Sequence, residues 1–250
     1  MTVVYDDGQS VVHHGDCFDL VDVWARPGAA VLLVTDPPYG RNWRQGVLRK
    51  KRSRSDGAVG IAGDSSTDTR DRALAAWGDR PAVVFGDLML PPPAGTRQVC
   101  VYAKPPDAGA RGATAGVRRD VEAIYLVGRW PTGIAGGRGS VFGTRSHILA
   151  GASGPVTRYQ HPHAKPVDML EDLISMVAGS LPVWPELVVD PFAGSGSVLV
   201  SARNLGIRAV GVEVVERHCR TAAGRLAQTP LSFPRERKAS PVDQQLVAES

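Results

Sequence analysis

Two stretches of this sequence combine residue types that could hold a ligand and act on it. Val31 to Gly40 reads VLLVTDPPYG. An apolar run there delivers a carboxylate (Asp36), a carbonyl on a residue without N–H (Pro37), a second ring-locked residue (Pro38) and an aromatic ring (Tyr39). The two prolines fix the backbone, so the acceptors stand in place before a substrate arrives. The plain alternative for four such residues is a loop opening after a strand. Leu187 to Gly206 reads LVVDPFAGSGSVLVSARNLG: an apolar strand, an acid at its end, a Gly-x-Gly turn, then a helix. Such glycines let backbone approach a ligand closely, and the helix start offers free N–H groups. The third glycine of the dinucleotide fingerprint is missing, since Leu199 stands there, which argues against a nicotinamide or flavin cofactor. The following strand ends in Glu213, where a ribose diol would be held.

These residues need elements to carry them. Short β-branched runs bounded by turn residues predict strands at Ser10 to His14, Val31 to Thr35, Ala82 to Phe85, Gln98 to Ala103, Val121 to Val127, Leu187 to Val189 and Arg208 to Val212. Near-continuous apolar runs such as VLLVT belong to strands covered on both faces, the mark of a mostly parallel sheet. Helices are expected over Pro166–Ala178, with Pro166 in the first turn and Gly179 as the stop, over about Ser197–Leu205, and over about Val215–Leu226. Residues 41–69 and 129–160, like the Pro-, Gly-, Ala- and Arg-rich stretch 105–120, resist the pattern. The first is basic, then rich in Gly, Ser and Asp, and of a length usually reserved for function or disorder. The second is glycine-rich, with scattered arginines and aromatic rings. Residues 228–250 read as a tail, leaving 1–227 as one domain.

Composition narrows the class. The chain has 250 residues, 43% of them hydrophobic and 22% charged, and three cysteines. No apolar run approaches the roughly 20 residues of a membrane helix. The N-terminal MTVVYDDGQSVVHHGD does not read as a leader, so a cytoplasmic setting is expected. Cys17, Cys100 and Cys219 form no C-x-x-C pair, and His161 and His163 lack companion ligands, so neither a disulfide framework nor a metal site is expected. The net charge is +4, yet Arg41, Arg44, Arg49, Lys50, Lys51, Arg52 and Arg54 fall within 41–54 without an acid. Outside that segment 22 Lys and Arg face 25 Asp and Glu, a balance of −3. One anionic partner could meet the basic segment; a solvated loop is the alternative.

Taken together, the motifs bring a resemblance. The chain resembles the S-adenosylmethionine-dependent amino-group DNA methyltransferases, in the permuted order where D-P-P-Y precedes F-x-G-x-G. The resemblance runs from about Val11 to Leu226. It includes Gly15-Asp16-Cys17, His161-Pro162-His163-Ala164-Lys165-Pro166 and Gly211-Val212-Glu213 besides the two motifs already quoted. It implies an α/β, doubly wound, mostly parallel seven-stranded Rossmann-like sheet with a small glycine-rich target-recognition insertion at 129–160. S-adenosylmethionine is the implied cofactor, with Asp190, Phe192, Ala193, Gly194 and Gly196 around its methionine part and Glu213 on its ribose. Asp16 and Cys17 would face its adenine, and Lys165 would stand near the methionine end or support that wall. Cys17 can equally be a small buried hydrophobe. The helix-opening motif departs from the family's commoner H-P-T-E-K-P at His163 and Ala164.

For the reaction, the resemblance implies that Asp36 and the Pro37 carbonyl each accept an N–H of an exocyclic amine, freeing its lone pair for attack, with Tyr39 stacked on a flipped-out base. Aspartate at the first motif position favours adenine N6; cytosine N4 is the alternative. The implied partner is double-stranded DNA, met by Arg41, Trp43, Arg44, Arg49, Lys50, Lys51, Arg52 and Arg54, with Arg129, Trp130, Arg138, Arg145, Arg158 and Tyr159 in the recognition segment. That segment is short, which points to limited base readout or to help from a second copy in a homodimer. A companion restriction enzyme is a further partner that such enzymes can have. Two other readings compete: methyl transfer to RNA or a protein glutamine, for which N-P-P-Y after the cofactor motif is the usual order, and a non-catalytic nucleic-acid-binding module on the same scaffold.

Overall fold

The computed structural model describes residues 2–25, 28, 30–42, 61–104, 114–132, 139–143 and 164–228. Among these residues nine strands form one sheet: β1 Thr2–Asp6, β2 Ser10–His14, β3 Val31–Thr35, β4 Ala82–Gly86, β5 Thr96–Ala103, β6 Val121–Val127, β7 Val141–Gly143, β8 Leu187–Asp190 and β9 Arg208–Glu213. Their spatial order is β1-β2-β9-β8-β3-β4-β6-β5-β7. Pairing is parallel from β2 through β4 and between β5 and β7. It is antiparallel where β1 joins β2 and where β6 lies between β4 and β5.

The expected sheet of seven strands is therefore extended by one strand at each edge. Neither addition carried a strong signal. β1 is exposed or half-exposed along its length, and β7 has only three residues, with Val141 67% exposed. A strand that covers little apolar surface writes little periodicity into its sequence.

Alternate residues of the central strands serve two cores, as the period of two in a strand requires. Leu32, Val34, Val83 and Phe85 face one core, while Leu33 and Val84 face the other. The first core is covered by α3 Val167–Ala178, α4 Ser197–Asn204 and α5 Glu216–Leu226, through residues such as Leu170, Leu173, Leu199, Ala222 and Leu226. The second is covered by a 3-10 turn Cys17–Leu20 running into α1 Val21–Trp24, and by α2 Asp68–Trp77. Trp24 and Trp77 are its largest buried side chains. Helices on both faces of a largely parallel sheet make the fold doubly wound. No helix among the described residues is long and apolar enough to cross a membrane.

Two segments differ in detail from expectation. α2 starts at Asp68, inside the stretch read as a loop to residue 69, and Pro166 stands as the cap before α3, with φ −63° and ψ 132°, instead of within its first turn.

Candidate active site

The parallel strands end at one edge, and the motif residues gather there. Asp36 follows β3, and both of its carboxylate oxygens are occupied. Lys165 Nζ donates to Oδ2 at 2.5 Å, and the Tyr39 hydroxyl donates to Oδ1 at 2.8 Å. Lys165 is buried, one residue before the cap of α3, with its ammonium 5.0 Å from the centre of the Phe85 ring. A second carboxylate completes the cluster. Glu122, at the start of β6, lies 3.2 Å from Lys165 Nζ through Oε2, and its Oε1 meets Lys104 Nζ at 2.6 Å. Burial opposes charge on Lys165, yet Asp36 and Glu122 raise its pKa above the ordinary lysine value. Burial likewise works against an ionised Glu122, but Lys165 and then Lys104 bring it down to about 2. For the Tyr39 phenol, burial and the two carboxylates act together and push its pKa well up. The group is thus two anions and two cations under a neutral phenol.

The turn after Tyr39 is clamped by Asp64. Its carboxylate accepts from the Gly40 N–H at 2.7 Å and the Arg41 N–H at 3.3 Å, while its carbonyl accepts from the Asn42 N–H at 2.5 Å. Gly40 has φ +85°, and a Cβ there would lie 2.7 Å from the Ser66 carbonyl carbon, so no other residue fits without moving backbone. Arg41 pairs with Asp87, just past β4. Its guanidinium is held on the sheet edge, a partner that charge patterning could not reveal.

Beside this cluster, β8 delivers the second motif. Asp190 is buried and its Oδ1 accepts from the Thr35 hydroxyl at 2.7 Å and from the Phe192 N–H at 3.0 Å, bolting the two motif strands together. Burial raises its pKa to about 7, against the pull of those two donors. The turn continues with the Ala193 N–H on the Val212 carbonyl at 2.9 Å and the Gly194 N–H on Glu213 Oε2 at 2.8 Å. Glu213 Oε1 accepts from the Val215 N–H at 2.8 Å. Burial would raise the Glu213 carboxyl, but a hydrogen bond from His218 and the two backbone donors lower it below the ordinary value. Oε1 has His218 Nδ1 at 3.7 Å besides its backbone donor, whereas Oε2 takes the Gly194 N–H, and a carboxylate oxygen can accept two, so Oε2 keeps capacity for a ligand's hydroxyl.

A cavity of about 220 Å³ opens in front of Glu213, with Asp16, Cys17, Phe18, Phe192 and Val214 among its walls. Asp16 accepts from the Phe18 N–H at 2.9 Å and so starts the 3-10 turn. Cys17 is 5% exposed, and burial with the Asp16 charge pushes its thiol up to about 12, so it is a neutral wall rather than a nucleophile. Phe18 and Arg72, stacked at 3.8 Å, line the same cavity and carried no sequence signal. Aromatic and thiol walls with a lowered carboxylate at the mouth fit a nucleoside with free ribose hydroxyls. A larger depression of about 410 Å³, bounded by Trp184, Glu186 and Arg208, lies at the amino ends of β8 and β9, away from these groups.

The structure thus brings Asp36, Pro37, Pro38, Tyr39 and Lys165 to one place, and Asp16, Cys17, Asp190, Phe192, Ala193, Gly194, Gly196 and Glu213 to the adjoining one. Trp43, Arg44, Arg49, Lys50, Lys51, Arg52 and Arg54 lie outside the described residues, as do Arg138, Arg145, Arg158 and Tyr159. Arg129 pairs with Asp79 at 3.2 Å, and Trp130 donates to the Val127 carbonyl at 2.9 Å. Besides Phe18 and Arg72, sequence reasoning missed Glu122, Lys104 and Asp64. A trace of Glu122 was available, as the one acid inside the run VEAIYLV.

A doubly wound sheet with these two clusters at its carboxyl edge is the architecture of α/β proteins that bind a nucleotide-like ligand at that edge. The chain belongs to the N6/N4 amino-group DNA methylases, a family whose methyl donor is S-adenosylmethionine. The family model described as DNA methylase matches residues 138–224. "Putative methylase YubD" of Escherichia coli (strain K12) is 43% identical over 240 residues, covering 85% of this chain and 88% of that protein. Among solved structures, the cytosine-N4-specific PvuII DNA methyltransferase aligns with a TM-score of 0.56 at 16% identity, over 98% of this chain and 93% of that one. The M1.HpyAVI–SAM complex aligns with a TM-score of 0.53, also at 16% identity, over 88% and 100%. At those identities the two structures speak for the fold alone.

Proposed function

We propose that this protein is a site-specific DNA methyltransferase that modifies the N6 amine of a flipped-out adenine. The observation that carries the reading is the Asp36 carboxylate, set at the end of β3 beside the Asp190–Gly196 turn and flanked by the Tyr39 ring. An exocyclic amine is a poor nucleophile because its lone pair is delocalised into the base. Asp36 accepting one N–H and the Pro37 carbonyl accepting the other favour the geometry in which the lone pair is free. Tyr39 supplies the face on which the base stacks. S-adenosylmethionine, when bound, supplies a methyl group on a cationic sulfur. Glu213 would hold its ribose hydroxyls, Asp16, Cys17, Phe18 and Phe192 would enclose its adenine, and residues 190–196 would wrap its methionine part. Lys165 belongs in this reading to the acceptor side, since its ammonium sits on Asp36. Aspartate at position 36, where cytosine-N4 enzymes more often carry serine, favours adenine. The basic residues from Trp43 to Arg54 and the segment 129–160 would meet the duplex.

The test is expression in a host free of DNA methylation, followed by sequencing with modified-base detection, with Asp36→Ala as the parallel control. The expected result is N6-methyladenine at one recurring motif with the wild-type chain and none with the variant. N4-methylcytosine would move the target to cytosine; unmodified DNA overturns the reading.

A further inference from the structure

We propose that Glu122 is a positioning residue for methyl transfer: it is the standby acceptor that takes the Tyr39 hydroxyl, and draws the Lys165 ammonium, away from Asp36 when a target amine arrives. The inference rests on the reading of Asp36 as the acceptor of that amine. In the state described, Asp36 has a donor on each oxygen, Lys165 on Oδ2 and Tyr39 on Oδ1. An incoming N–H either joins one of these donors as the second bond on its oxygen or displaces it, and the role inferred for Glu122 concerns the displaced donor.

The geometry around Glu122 Oε2 provides for that displacement. The Tyr39 hydroxyl has one proton, and two carboxylate oxygens lie within reach: Asp36 Oδ1 at 2.8 Å and Glu122 Oε2 at 3.3 Å. The same hydroxyl oxygen accepts from Lys165 Nζ at 3.2 Å. One proton serves one acceptor well, so the hydroxyl holds Asp36 now and has Glu122 as its alternative. Lys165 Nζ, with three N–H donors, holds both carboxylates at once, at 2.5 Å to Asp36 and 3.2 Å to Glu122 Oε2, and can tighten on the second as the first is taken up by the amine. Lys104 grips the other oxygen, Oε1, at 2.6 Å, which keeps Oε2 turned toward both donors. Moving both donors from one carboxylate to the other takes shifts of roughly 1 Å or less, and no buried donor is left without a partner at any point. A merely space-filling residue at position 122 would leave the released hydroxyl unpaired and an ammonium with a single carboxylate to grip. Lys165 and Lys104 hold Glu122 ionised, as the role requires.

Purified full-length wild type, Glu122→Gln and Glu122→Asp are compared for transfer of labelled methyl to DNA containing the recognised site, with S-adenosylmethionine affinity and the thermal midpoint measured alongside. Glu122→Gln should lower kcat about 10- to 100-fold, with cofactor Kd near wild type and a folded protein of reduced thermal midpoint, since two ammonium groups lose a carboxylate, and Glu122→Asp should recover part of both losses. In a Tyr39→Phe background, which has no hydroxyl to rehouse, Glu122→Gln should cost less than in wild type. A wild type that transfers no methyl to any DNA overturns the proposed function itself. With an active wild type, a Glu122→Gln kcat within twofold of normal overturns the role of Glu122 alone. Loss of cofactor affinity or of folding in that variant, or equal cost in both backgrounds, makes Glu122 part of the scaffold and overturns it equally.

Discussion

Asp190 is a buried carboxyl whose titration bears on the whole fold. Its ordinary value is 3.8, and burial raises it to about 7 in the folded chain. Between those values the folded state keeps a proton that the unfolded chain gives up, so stability falls as pH rises from about 4 to about 7 and levels off above. Asp190→Asn keeps an oxygen for Thr35 and Phe192 but has no charge to bury. Its thermal midpoint relative to wild type should therefore climb through that window, by more than about 3 °C, measured without cofactor. A difference independent of pH would contradict the assignment. At this scale sequence reasoning reached residues whose type announces chemistry: Asp36, Tyr39, Asp190 and Glu213 stand out beside prolines and glycines. Glu122 and Lys104 did not, because their meaning lies in a pairing 18 residues apart, and Glu122 meets Asp36's partner Lys165 across a sheet register that no local window contains.

The elements that position the site are held by close approach. Gly196 begins α4 with φ +77°, and a Cβ on it would lie 2.8 Å from the Ala222 Cβ of α5. Gly196→Ala introduces backbone strain and forces the two helices apart, at a cost of about 1–3 kcal/mol in chemical denaturation. The same shift moves the Gly194 N–H that Glu213 accepts, so cofactor affinity should fall with it; unchanged affinity would show that the turn is set independently of this contact. Elements with an apolar run or a helical apolar period were legible, as in β3 and α3. α2 was not, because the face it buries consists of Arg70, Ala73 and Trp77, and an arginine in that stripe erases the amphipathic pattern. Arg70 is satisfied by long-range chemistry, donating to the Pro91 carbonyl at 3.0 Å.

Over the whole molecule, charge and topology set how the protein meets a long anionic partner. The net +4 is the balance of a basic segment at 41–54 against a slightly acidic remainder, and in sequence that segment follows Asp36–Tyr39 almost at once. Neutralising Lys50, Lys51 and Arg52 together should flatten the salt dependence of DNA binding, by as much as about 0.9 in log–log slope for each phosphate that is no longer neutralised. S-adenosylmethionine affinity should stay unchanged. An unaltered slope would return the segment to a solvated loop. Strand order was the least legible feature: β8 is the eighth strand in sequence and lies beside β3, the third, and only the motifs, not periodicity, pointed to that neighbourhood. The same topology governs how this protein can change over evolutionary time. β7 pairs parallel with β5 and ends at Gly143, at the same edge where Lys165 opens the way into α3. Gly143 and Lys165 thus stand at one edge of the sheet, the edge that carries Asp36. If DNA is read between these two points, target preference can diversify there among descendants while β7, Lys165 and Asp36 are inherited unchanged.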